Sequence, residues 1–141
     1  KKMKEKIFIA SDHAGYDLKN SLVSHFKDLF DDLGAQNEDA VDYPDYAHKL
    51  VKKINEIDNS KGVLICGSGN GMSITANRDP NIRAGLAFNS KVAELVRQHN
   101  DANILVLPGR FIDVQEAIKC VDNFINTNFE GGRHKKRIEK I

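Results

Sequence analysis

The chain has 141 residues, 40% hydrophobic and 29% charged, and a formal net charge of +1. That length suits one domain burying roughly two thirds of its unfolded surface, and the near-neutral balance excludes nucleic-acid binding through bulk charge. Two cysteines, Cys66 and Cys120, without CxxC spacing exclude a disulfide framework and read as reduced thiols of a cytosolic protein. No stretch reaches the ~20 apolar residues of a membrane helix, and the charged run Lys1 to Lys6 does not resemble a signal peptide.

In chain order, Ile7 to Ala10 is a first strand, followed by the polar cluster Ser11-Asp12-His13-Ala14-Gly15. Leu18, Leu22, Val23, Phe26 and Phe30 recur at helical spacing and predict a helix from Tyr16 to Phe30, closed by Gly34. Residues 35–41 are assigned a short edge strand. Tyr43-Pro44-Asp45 opens a second helix, because proline is tolerated in a first turn; Tyr46, Ala47, Leu50, Val51, Ile54 and Ile57 form its buried stripe. Gly62 to Cys66 is continuously apolar, as in a parallel strand covered on both faces.

A glycine loop and a short helix come next. Strands are predicted at Arg83 to Phe88 and Ile104 to Leu107, with helices at Ser90 to His99 and Asp113 to Asn128. Cys120 lies on the apolar stripe of the last of these, with Val114, Ala117, Ile118, Val121 and Phe124, and reads as core. A basic helix is expected over residues 131–141. This strand–helix alternation implies an α/β fold: one domain with a five-stranded parallel sheet between helices. Ligands of such sheets bind at the carboxyl ends of the strands.

Three glycines in Cys66-Gly67-Ser68-Gly69-Asn70-Gly71 let the backbone turn tightly and present several N–H groups to an anion. A plain strand-to-helix turn explains an isolated loop of this kind equally well. The loop is not a Walker motif, since Met72-Ser73 follows Gly71, and no acidic residue stands about 20 positions on for a dinucleotide. Cys66, where the strand enters the loop, is either a buried core thiol or a thiolate favoured by the nearby amides and able to take a proton from carbon. His99 at a helix end and His13 beside Asp12 each have an ordinary structural explanation, but both are placed at the ligand-binding edge; His25 and His48 receive no role. In the tail, Arg133 and Arg137 are four apart and share a helix face. Two forked donors suit a phosphate, with Arg110 as a third, whereas no aromatic interleaves them to stack on bases.

Five segments together resemble the ribose-5-phosphate isomerase B family, which includes the galactose-6-phosphate and allose-6-phosphate isomerases. They are Ser11 to Gly15, Asp42-Tyr43-Pro44-Asp45-Tyr46-Ala47, Cys66 to Gly71, Arg97 to Asn103 and Phe129 to His134, in register along nearly the whole chain. The resemblance implies a Rossmann-like three-layer sandwich, no metal or other cofactor, and a homodimer or dimer of dimers with sites at the subunit interface. It assigns proton transfer between C2 and C1 to Cys66 and ring opening to His99. Gly67, Ser68, Gly69, Asn70 and Gly71 would hold the enediolate, and Asp12, His13, Tyr43 and Asn100 the sugar. Arg110, Arg133 and Arg137 would clamp the phosphate, partly from the partner subunit. Some members carry a glutamate where this chain has Met72, so Cys66 identifies it with the thiol branch. The implied substrate is ribose 5-phosphate, with a six-carbon sugar phosphate or a non-catalytic sensor role as alternatives. No nucleic acid or membrane partner is expected.

Overall fold

Five parallel strands in the order β2-β1-β3-β5-β4 carry helices on both faces. The computed structural model describes residues 6–141, so the start of the charged N-terminal run, residues 1–5, lies outside it. The strands are β1 (Ile7–Ser11), β2 (Phe30–Asp32), β3 (Lys61–Cys66), β4 (Ala84–Leu86) and β5 (Ile104–Pro108). The helices are α1 (Tyr16–His25), α2 (Tyr43–Glu56), α3 (Asn70–Ala76), α4 (Ser90–Gln98), α5 (Val114–Asn126) and α6 (Arg133–Ile138). Among the described residues no helix is long and apolar enough to cross a membrane.

Side chains alternate along each strand and divide the interior into two cores. Ile9, Val63, Ile65, Leu105 and Leu107 pack with Leu22 of α1, Ala93 of α4 and Phe124 of α5. Phe8, Leu64, Cys66 and Val106 face the other way, onto Leu50 and Val51 of α2 and Met72 of α3. Both faces of β1, β3 and β5 are therefore covered, which explains their unbroken apolar runs.

The predicted helix to Phe30 is corrected. α1 stops at His25; Phe26 leaves the helical region (φ −98°, ψ 70°) and Asp28 adopts a left-handed φ of 63°. Phe26, Leu29 and Phe30 still pack against the core, so apolar spacing survives where the backbone does not. The edge strand is likewise Phe30–Asp32, pairing Phe30 with Ile7, and not residues 35–41. Pairing continues past it: Leu33 donates to Ile9 O (2.9 Å), Ser11 to Gly34 O (2.8 Å) and Ala35 to Ser11 O (2.9 Å).

Candidate active site

Cys66 is the last residue of β3 and is 5% exposed. Its carbonyl accepts from Gly109 N (2.8 Å), and Gly67 O accepts from Arg110 N (3.0 Å), so the end of β5 braces the start of the glycine loop. Gly69 turns the chain into α3 with a left-handed φ of 82°, a conformation costly for other residues. The first N–H groups of α3 have no acceptor within the helix. Two side chains flank the loop. Arg110 lies over Gly67, where an added Cβ would sit 3.2 Å from its Nη1, and the Tyr43 ring lies so close to Gly71 that a Cβ there would overlap it.

The end of β1 completes this edge. Asp12 is 6% exposed, accepts from Gly15 N (3.1 Å) and donates its own N–H to Ile65 O (3.2 Å), beside Cys66. His13 Nδ1 accepts from Val41 N (3.2 Å). The neutral ring therefore carries its proton on Nε2, available to a ligand oxygen. One chain thus gathers Cys66, Asp12, His13, Tyr43, Arg110 and the loop Gly67 to Gly71 at the carboxyl ends of the strands.

His99 and Asn100 stand elsewhere, which corrects the expectation that both histidines share one edge. α4 runs back across the sheet, so its C-terminal end lies beside the start of β5. Cys66 is level with Pro108, whereas Ile104 is level with Gly62. Four strand rises, about 13 Å, separate the two levels. The turn after α4 is held by Arg97, 7% exposed, which donates to Ala102 O (2.8 Å), Asp101 Oδ1 (2.8 Å) and Thr127 O (3.1 Å). Arg83 donates to Asn100 O (2.9 Å) and Asp101 O (3.0 Å). Glu130 N donates to Gln98 O (3.0 Å), bringing the start of α6, with Arg133 and Arg137, to this second edge.

Sequence reading overlooked His134 and Glu130. The His134 ring stacks on His99 with centroids 4.2 Å apart and planes 12° from parallel. Glu130 Oε1 lies 3.4 Å from His134 Nε2 and 4.0 Å from His99 Nε2. Burial, then the charges of His99 and Arg133, hold His134 below the ordinary histidine value, with Glu130 opposing. Glu130 precedes α6, with Gly131 and Gly132 at positive φ between them, so no helical spacing announces its approach to His134. A cleft of about 540 Å³ also opens near the amino ends of the strands, far from the thiol, but its Arg83, Arg97 and Asp101 already pair with one another.

The sequence model of the Ribose/Galactose Isomerase family matches residues 7–141. A probable ribose-5-phosphate isomerase B of Mycoplasma pneumoniae is 46% identical over 99% of this chain and 94% of the relative. The ribose-5-phosphate isomerase B of Escherichia coli is 36% identical over 97% of this chain and 94% of the relative. Among solved structures, the Mycoplasma genitalium ribose-5-phosphate isomerase B with bound ribulose-5-phosphate superposes with a TM-score of 0.93 at 44% identity, covering 99% of this chain and 95% of that one.

Proposed function

The chain belongs to the ribose/galactose isomerase family, and from that premise we propose that it interconverts ribose 5-phosphate and ribulose 5-phosphate through an enediolate. The observation that carries this reading is the thiol of Cys66 at a strand end, beside a glycine loop flanked by Arg110 and Tyr43, in a chain so similar to one that holds ribulose-5-phosphate.

The Cys66 thiolate removes the C2 proton of the open aldose. Negative charge then develops on the enediolate oxygens, and the amides of Gly67 to Gly71 stabilise it; losing one such donor typically costs about 10²–10³ in rate. Cys66 returns the proton to C1, the O2 proton passes to O1, and the ketose results. His13 Nε2–H, Asp12 and Tyr43 orient the sugar hydroxyls. Two cysteines without disulfide spacing suit a reducing compartment, and on that ground the enzyme is placed in the cytosol.

His99 opens the sugar ring, Asn100 binds the sugar, and Arg133 and Arg137 join Arg110 on the phosphate. The offset of about 13 Å between the two strand levels supports a site shared by two chains, because thiol and imidazole must reach one sugar. The working unit is therefore a homodimer, or a dimer of dimers, in which the thiol edge of one protomer meets the α4–α6 edge of its partner. His99, Asn100, Arg133 and Arg137 act from the partner subunit, and remote phosphate binding orients the reacting carbons.

Ketose formation from ribose 5-phosphate, and separately from allose 6-phosphate, without added metal tests the substrate. Faster turnover of ribose 5-phosphate is expected; a preference for the six-carbon sugar would overturn the assignment.

A further inference from the structure

The end of α4 and the segment entering α6 bring three lone-pair donors together: His99, Glu130 and His134. Their ligand atoms lie within 4.8 Å of one another. The His134 side chain is 6% exposed, and its Nε2 lies 3.4 Å from Glu130 Oε1 without forming a hydrogen bond to it or to any other described group. Buried polar nitrogens are normally paired, so this one marks a place for a ligand. The isomerisation chemistry gives neither Glu130 nor His134 a task.

We propose that His99, Glu130 and His134 bind one divalent cation of the zinc class, and that the bound cation reversibly inhibits the enzyme by occupying His99. The inhibitory half rests on the role given to His99 under Proposed function; the binding half does not. Two imidazoles and a carboxylate with a fourth position open is a donor set that zinc accepts. Magnesium and calcium select all-oxygen sites and are disfavoured here.

The stacked rings set their lone pairs side by side. Zn–N bonds of about 2.0–2.1 Å therefore require one ring to leave the stack. His99, whose side chain is 38% exposed, is the free one, and it swings toward Glu130 while His134 stays seated. Arg133 and Arg137 on the same helix oppose a further positive charge. The site is accordingly weaker than a resident structural zinc site and empties under a chelator. Its role is inhibition, not cofactor chemistry.

Chelator-treated intact protein carrying Cys66→Ala, which removes the catalytic thiol as a competing ligand, is titrated with ZnCl₂ by calorimetry. One ion per chain is expected, with Co²⁺ giving a tetrahedral absorption spectrum free of thiolate bands. Because His134 is buried, the half-exposed Glu130→Gln is the deciding variant, with His134→Gln alongside. Affinity is expected to fall by more than the about 10–100-fold typical of losing an outer partner. No binding, or unchanged affinity in Glu130→Gln, overturns the site. With Cys66 present, Zn²⁺ lowers ribose 5-phosphate turnover, chelator restores it, and Glu130→Gln resists it. Binding at these residues without loss of turnover would overturn inhibition and the ring-opening role of His99, while isomerisation by Cys66 would stand.

Discussion

At the residue scale, Cys66 and Gly71 carry the sharpest expectations. Cys66→Ala removes the proposed base and is expected to lower kcat by at least the about 10²–10⁴ that a positioned base contributes, with an unchanged circular dichroism spectrum; retained turnover would discard the thiol base. Gly71→Ala drives a methyl group into the Tyr43 ring. It is expected to raise KM and to cost about 1–3 kcal/mol of stability, read from denaturant unfolding. Cys120 behaves oppositely to a working thiol. Burial, then the Glu116 carboxylate, pushes it from 9.0 up to about 12. A raised folded value means that the unfolded chain ionises first, so the stability is full below about 9 and is lost as pH rises toward 12. Unfolding midpoints between about pH 8 and about pH 11 are expected to fall less steeply in Cys120→Ala than in the parent; equal slopes would contradict this. At this scale the gathering of Cys66, Asp12 and His13 at the carboxyl edge was legible, because residue type and strand-end position coincide. His134 was not, since its stacking on His99 depends on a tertiary approach that no local spacing encodes.

At the element scale, the helices and the central strands follow from their periodicities, and the failures have local causes. α1 ends where Phe26 leaves the helical region, and the turn that follows places Asp28 at a left-handed φ, a conformation an aspartate permits but does not announce. Phe30 then satisfies the same apolar face from a strand. The direction of α4 had the larger consequence. A helix after a strand returns to the sheet's amino edge, so its last residues cannot share the edge on which the strands end. Arg97 fixes that return by closing three acceptors. Arg97→Ala is expected to destabilise the fold by about 3 kcal/mol through unpaired carbonyls. It is also expected to depress turnover of the ring sugar by loosening His99 and Asn100. Calorimetric melting together with kinetics checks both, and an unchanged melting temperature would refute the anchoring role.

At the scale of the whole molecule, one protomer holds the thiol, the glycine loop, Tyr43 and Arg110 at one edge and His99, Asn100 and the α6 arginines at the other. On the proposed reading the two-edged arrangement joins catalysis to assembly, with each edge completing a site on another copy. Mixing inactive Cys66→Ala chains with inactive His99→Asn chains, after dissociation and reassembly, tests this most directly. Random pairing makes half the dimers mixed, each with one intact site of two, so about one quarter of the parent's ribose 5-phosphate turnover is predicted to return. No recovery would mean that the thiol and the imidazole do not meet across a subunit boundary, and would contradict the account.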